Sequence, residues 1–590
     1  MRFLLPLMLA ALLYTGGVAL PFFSDDIETQ RFVQPRTLFA LWTQVEVNGA
    51  YYRPLTNLLH RAVPLDAALW HGLLLWLHLL TVALVSVLAR ALSGHRAAFS
   101  AALLYAVFPF HAQAALWPAS IVHLLVTLLI VAACVGALTR RGGLALLAGV
   151  AAPFAHESGV AAAALIGLAL WAQGGARSVR RYSILLAAVA GAALGYWLLR
   201  SHFVGGGGLR VDPEAVLFNA AYLGQGLSLP AQWLMGALAG DAVLRALAGL
   251  AAFSGLAVAA LGRQRLLWAG LGWIGVALAP ALLLLHPNYV LYGDRLLTIA
   301  APAIALLWAA LLWRLPRWAG ALALIILTLG SVSMARSVIA QHRLHADALR
   351  PIIATADPDT PTLYLNLPSH TEQAASPLPL WRASAGLLTD WIDLRDFLWL
   401  NAGQREFPQV AYAHAPWLAD APPDLLTRFY GGSIAPDALP ALIQQHARTF
   451  RTRWTGAGWQ TFEWARRLDA VDGIVFDGAL KVAAEAALDG DFVRVTLDWQ
   501  RIGPLSADWT AFVHLTCDGA LIAQADGDPF ENSRPFSAWA EGEAWREARW
   551  LPLPAGVERG CLRVAVGLYE RAALARATSD VGDALSVPVR

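Results

Sequence analysis

What this chain has little of narrows its class before any motif does. Only 3 of its 590 residues are cysteine, too few for a disulfide framework. Charge is scarce too: 14 % of residues are charged and 57 % hydrophobic, an average too apolar for a soluble protein. The shortage is uneven. Of 41 acidic residues only ten precede Ala340: Asp25, Asp26, Glu28, Glu46, Asp66, Glu157, Asp212, Glu214, Asp241 and Asp294. Lysine is confined to Lys481, so any cationic chemistry rests on arginine. A net charge of +2, with neither half strongly basic, argues against a nucleic-acid partner.

What is abundant is apolar sequence in runs of about 18 residues or more, the length that crosses ~30 Å of hydrocarbon. Candidate spans lie near 3–22, 68–89, 97–113, 119–138, 143–156, 158–174, 182–199, 242–262, 266–285, 296–313 and 318–338. The first reads as an uncleaved span rather than a signal peptide, because the chain goes on to cross many more times. A further candidate, 217–238, carries Asn219, Gln225, Ser228, Pro230 and Gln232, which suit a re-entrant or interfacial helix better. Leaving it out of the count sorts Arg90, Arg96, Arg140, Arg141, Arg177, Arg180, Arg181, Arg263, Arg265, Arg314 and Arg317 to the same side as Arg2. The expectation is an α-helical polytopic bundle over 1–340 with about eleven spans and its N-terminus inside. All ten acids of that half, and everything after it, then face outward.

The candidate chemistry follows the chain order of the outer loops. Asp25-Asp26 closes the first span, and adjacent carboxylates at a membrane surface are solvated, paired or used. Used, one is a general base whose neighbour raises its pKa; otherwise the pair is a solvated loop start. Tyr51-Tyr52-Arg53-Pro54-Leu55 ends the first loop, and Tyr105 to His111 and Trp117-Pro118 follow the third span. His156-Glu157-Ser158-Gly159 and Asn288 to Arg295 come later. Gly205 to Gly208 lacks the lysine and the strand–helix context of a phosphate loop and reads as a mobile loop.

In this order the pieces resemble the GT-C glycosyltransferases, multi-span enzymes that use polyprenyl-phosphate sugars. The likeness is nearest to the transmembrane O-mannosyltransferases with TPR repeats and to their bacterial relatives. It covers about 1–340; Phe108 stands where the family often has His, His156 where it has Lys, and no TPR period follows. The resemblance implies an inverting transfer of sugar from a polyprenyl-phosphate donor to an acceptor hydroxyl on the outer face. Such a reaction needs a base for the acceptor hydroxyl and positive charge for the departing phosphate. Asp25 is the first choice of base and Asp26 the second. Arg53, Arg295 and His111 are assigned to the phosphate, and Tyr52, Glu157 and Tyr292 to polar or stacking contact with substrate.

Each assignment has a plainer alternative. Arg53 snorkels to headgroups, Arg295 pairs with Asp294, Glu157 caps a helix, and the tyrosines belong to the interfacial aromatic belt. No tight ligand spacing supports a required metal, although His111, His156 and the acids leave a divalent ion open. The arginine-for-lysine bias points to a GC-rich bacterial genome, hence a bacterial inner membrane. The partners expected are the bilayer, the lipid-linked sugar and an acceptor of unspecified class. Competing classes are a transporter or flippase of lipid-linked sugar and a non-catalytic membrane-anchored scaffold.

Beyond the bundle the chain is expected to be extracytoplasmic. Residues 345–465 read as a mixed α/β segment, with a strand at Thr362–Leu367 and helices at 382–400 and 436–450. Residues 470–590 alternate in short runs separated by turns such as Asp518-Gly519, the pattern of a β-sandwich. Cys517 and Cys561 both fall there, and the sequence leaves their pairing open.

Overall fold

The computed structural model describes residues 4–45, 51–204, 211–262, 264–456 and 458–590. Arg2, Glu46, Gly205 to Gly208 and Arg263 lie outside the described residues. The chain divides into two compact units. One comprises Met1–Ala346 with Thr371–Leu387 and Asp424–Leu426; the other comprises Asp347–His370, Leu388–Pro423 and Thr427–Arg590.

The first unit is helical, and every candidate span contains helix. Among the described residues six helices are long and apolar enough to cross a membrane: Ala67–Ala106, Pro118–Leu138, Ser183–Val204, Ala242–Leu261, Arg265–Leu284 and Arg317–Thr355. Shorter apolar helices cover Leu4–Gly17, Gly142–Ala155 and Ala301–Leu312. The 40-residue stretch Ala67–Ala106 is two helices meeting at Gly94, whose φ of 84° an L-residue adopts only under strain. The break separates the segments read as 68–89 and 97–113. Segment 217–238 is also interrupted: Pro213–Leu227 and Leu229–Gly236 meet at Ser228, just before Pro230. Large apolar side chains lie on the outside of this unit, Ile184 at 86 % exposure and Leu12 at 73 %. Water would penalise that surface, and hydrocarbon matches it.

The second unit is built on two main sheets. Thr362–Leu365 lies parallel to both Val410–Ala413 and Arg448–Trp454. The sheet then continues antiparallel through Trp459–Leu468, Ala544–Pro552, Phe492–Arg501, Leu480–Asp489 and Ile474–Phe476. It is one eight-stranded sheet, so the segments read as 345–465 and 470–590 are hydrogen-bonded together. A four-stranded sheet of Ala520–Gln524, Trp509–Cys517, Leu562–Glu570 and Leu585–Pro588 accompanies it. Val493, Val495 and Leu497 from the first and Val513, Leu515, Val564 and Val566 from the second share one buried core.

Two helix boundaries differ from expectation. The helix read over 382–400 is only Leu394–Asn401, because Asp393 caps it, its side chain accepting from the Arg395 amide. The one read over 436–450 ends at Gln445, and Arg448–Trp454 is strand, held on both edges by neighbours.

Cys517 and Cys561 form a disulfide across a separation of 44 residues, with Cα atoms 4.8 Å apart; Cys134 is buried and free. Alkylation of the denatured, unreduced protein is expected to label one thiol, and reduction to expose all 3. Three reactive thiols before reduction would show that the bridge does not form in the cell.

Candidate active site

Asp25 and Asp26 open the helix Asp25–Val33, and the one-residue offset gives them different surroundings. Asp26 is 1 % exposed. Its Oδ2 accepts from the Phe23 amide at 2.9 Å, and its Oδ1 accepts from the Ala119 amide at 2.5 Å. Ala119 lies in the first turn leading into the helix Ile121–Leu138, and Trp117, the residue before that turn, makes no side-chain cap. Asp26 thus caps a helix 93 residues away. Burial pushes its carboxyl well above the usual carboxylate range, the two amides pull it back, and the Asp25 charge pushes it up again. Asp25 is half-buried, with the Ser24 hydroxyl 3.5 Å from its Oδ1. Ser24 itself takes a φ of 51°, a strained value for a serine, and its amide donates to the Leu387 carbonyl at 2.9 Å.

Arg53 precedes the helix Pro54–Ala62, whose proline suits the first helical position. Its Nε and Nη2 donate to the two oxygens of Glu157 at 2.9 and 2.7 Å, a bidentate pair. Two further contacts hold this geometry. The Thr56 hydroxyl donates to the Ala155 carbonyl at 2.8 Å. Gly159 packs so closely on the preceding helix that a Cβ there would lie 2.2 Å from the Ala152 carbonyl. The Ser158 amide donates to His156 Nδ1, which leaves Nε2 as the protonated nitrogen facing Glu157 Oε1 at 3.4 Å. Burial alone would raise the Glu157 pKa, but Arg53 and His156 outweigh it and hold the carboxylate well below its usual range.

Arg295 is the other cation of this region and is 8 % exposed. Its guanidinium lies 4.8 Å from the centre of the Trp117 ring and 5.1 Å from that of Tyr289. Its Nη2 donates to the Tyr289 hydroxyl and its Nη1 to the Tyr292 carbonyl. Gln113 closes the loop: its side chain accepts from the Arg295 amide and donates to the Tyr292 carbonyl. Among the described residues, none of the Arg295 side-chain hydrogen bonds goes to a carboxylate. Trp117 stacks in turn on Phe23, their centroids 6.1 Å apart, so Arg295 and the acids share one support. Tyr51 lies within electrostatic range of Arg53, Glu157, Tyr289 and Arg295, and His123 of both arginines.

Asp294, next in the chain, turns elsewhere. It accepts from the Tyr222 hydroxyl at 2.7 Å and from the Trp381 indole at 2.9 Å. Burial raises its pKa from near 3.8 to about 6, against the pull of those two donors and of Arg295.

The structure therefore gathers Arg53, Glu157 and Arg295, with the Tyr292 carbonyl, beside the turn that Asp26 anchors. Tyr52 and His111 lie apart from that cluster. The Tyr52 side chain is buried between Tyr196 and Phe203, its hydroxyl donating to the Trp42 carbonyl. His111 is buried among His78, Tyr105 and Phe108. Tyr51, Gln113, His123 and Tyr289 join the site without having been singled out. All four stand within or close to the quoted motifs, which was the available signal. Trp381 had none, since it comes from sequence read as part of the soluble segment. As to metals, the one group of three His, Cys, Asp or Glu converging among the described residues is Cys517, Asp518 and Cys561, whose thiols form the disulfide.

No family model and no curated protein matches the chain. Among solved structures it is similar to the archaeal oligosaccharyltransferase AglB from Archaeoglobus fulgidus, in complex with an inhibitory peptide and a dolichol-phosphate. The identity is 12 %, the coverage 69 % of this chain and 64 % of that one, and the TM-score 0.34. It is also similar to ArnT from Cupriavidus metallidurans in the apo state: 13 % identity, 77 % and 93 % coverage, TM-score 0.29. The chain spans less than two thirds of the archaeal enzyme's length.

Asp26→Ala leaves the Phe23 and Ala119 amides unsatisfied in a buried place, at about 1–3 kcal/mol each. The purified protein is expected to melt several degrees lower, and Asp25→Ala to shift the melt far less; equal shifts would remove the anchoring role. Asp294 generates a pH dependence. Its folded pKa is raised, so its contribution to stability is complete below about 4 and lost as pH rises through about 6. Melting curves between pH 4 and 7 should show that decline in the parent and its flattening in Asp294→Asn.

Proposed function

We propose that this protein is an inverting membrane glycosyltransferase that moves a sugar from a polyprenyl-phosphate donor to an acceptor hydroxyl on the outer face. The observation that carries the reading is the Arg295 guanidinium, seated on Trp117 and, among the described residues, hydrogen-bonded to no carboxylate, beside the loop that holds Asp25. Arg53 is neutralised by Glu157, so Arg295 is the donor suited to the phosphate. Asp25 takes the proton of the acceptor hydroxyl, the acceptor oxygen attacks the anomeric carbon, and the bond to the phosphate oxygen breaks. The negative charge leaves with the polyprenyl phosphate, met by Arg295, and a single displacement inverts the anomeric centre. Asp26 is the less suited base, because both its oxygens already accept backbone amides.

A lipid donor also needs an apolar path. A groove of about 330 Å³ lined by Ser158, Val160, Ala161, Val276, Pro280 and Leu283 adjoins the Glu157 turn and fits the role. No step calls for a metal in this scheme. The disulfide and the one-sided arginines support an extracytoplasmic second unit on a bacterial inner membrane.

The test uses full-length protein in proteoliposomes with polyprenyl-phosphate [3H]mannose and a membrane extract as acceptor. Asp25→Asn and Arg295→Ala are each expected to reduce transfer by about 10²-fold or more, with EDTA leaving the parent active. Unchanged transfer in Asp25→Asn would remove the base assignment. Absence of transfer in the parent as well would favour the scaffold reading.

A further inference from the structure

The helices Arg265–Leu284 and Ala301–Leu312 both connect to the loop that carries Arg295. Their other ends, at Arg265 and at Trp313-Arg314, lie far from it, since 20 helical residues span about 30 Å. At those far ends a cavity of about 670 Å³ opens between the two helices, the Gly94 break and the end of the helix Ala162–Gly174. Arg96, Arg265, Arg314 and Trp313 line it, and among the described residues no carboxylate stands in its walls.

The arginines are placed rather than scattered. The Arg96 guanidinium lies 5.8 Å from the centre of the Trp313 ring. Arg265 is seated against the turn at Gly175, where φ is +66° and a Cβ would lie 2.9 Å from its Nη1. A side chain there would displace the guanidinium. Arginines that merely snorkel reach headgroups independently, each along its own helix. Here arginines from three segments of the chain, Arg96, Arg265 and Arg314, line one mouth, and an anion that enters it meets positive charge from all three.

The mouth continues into apolar space. Leu92, Ala172 and Leu266 line both the cavity and a narrow cleft whose further walls include Trp273, Ala303 and Leu307. The cleft encloses only about 20 Å³, too little to take a hydrocarbon chain inside, so its apolar walls offer a surface for one to lie along. A cationic mouth joined to an apolar cleft within a membrane bundle is complementary to an amphiphile with an anionic head.

We infer that this cavity binds an anionic glycerophospholipid, its phosphate held by Arg96, Arg265 and Arg314 and one acyl chain laid along the cleft. The arginines mark this end of the bundle as the cytoplasmic one, where anionic lipid is available. The site is independent of the transfer proposed for the opposite end.

Native mass spectrometry of the purified full-length protein, titrated with phosphatidylglycerol, phosphatidylcholine or undecaprenyl phosphate, tests it. An Arg295→Ala background removes binding of the phosphates at the other end. In that background phosphatidylglycerol is expected to be retained ahead of phosphatidylcholine. Adding Arg96→Gln with Arg265→Gln should weaken its retention by about 25-fold, roughly fivefold per arginine. Lysine at both positions should restore most of it, which separates lost charge from a misfolded variant. Equal retention of the two glycerophospholipids, or no loss in the double glutamine variant, would overturn the site. Displacement of phosphatidylglycerol by undecaprenyl phosphate would overturn the assigned occupant.

Discussion

The contact on which the candidate site depends is the buried Asp26 carboxylate, which bonds its own loop with one oxygen and the Ala119 turn with the other. The turn into the helix Ile121–Leu138 has no cap from Trp117, so its amides need an acceptor from elsewhere. Supplying it from Asp26 fixes the Phe23 to Asp26 stretch against Trp117 to Ala119. Trp117 then stacks on Phe23 on one side and supports Arg295 on the other. The half-buried acid and the arginine are thus referenced to one anchor, although 270 residues of sequence separate Asp25 from Arg295. Pre-organisation of this kind is what lets a base and a phosphate donor act without reorganising at the moment of reaction.

Charge is apportioned around that anchor. Arg53 and Glu157 form a bidentate pair whose partners satisfy one another, and breaking such a pair leaves an uncompensated charge. The pair is therefore suited to holding the segment before Pro54 against the turn at His156 to Gly159. Arg295 is held differently, by a carbonyl, a hydroxyl and two aromatic faces, so its guanidinium is positioned without a hydrogen bond to a carboxylate among the described residues. Two arginines that look equivalent in the motifs are separated by one question, whether a carboxylate meets the guanidinium.

Much of the bundle was legible because hydrocarbon thickness imposes a length on apolar runs, and the helix ends agree with the runs to within a few residues for most segments. The polar residues and Pro230 marked 217–238 as unlike the other spans, but not that its helix would be interrupted at Ser228. Tertiary contacts were not. Asp25 and Asp26 are the same residue type side by side, and nothing local says which one will find the Ala119 amide. The Thr371–Leu387 segment, which carries Trp381 to Asp294, clusters with the helices although it follows them in sequence and reads as soluble. In the second unit alternation revealed strands but not that those on either side of residue 470 share one sheet, because strand pairing is non-local.

The motifs that carry the family resemblance are mostly architecture, and their residue types follow from packing. Gly159 is glycine because the Ala152 carbonyl occupies the space a Cβ would need. Pro54 starts a helix, Thr56 ties that helix to Ala155, and the Tyr52 hydroxyl is spent on the Trp42 carbonyl. Asp26 caps, and Glu157 pairs. Arg295 is placed differently, by a carbonyl, a hydroxyl and two aromatic faces, and among the described residues none of its side-chain hydrogen bonds goes to a carboxylate. A short motif can therefore recur for reasons of folding while its chemistry rests on one or two positions.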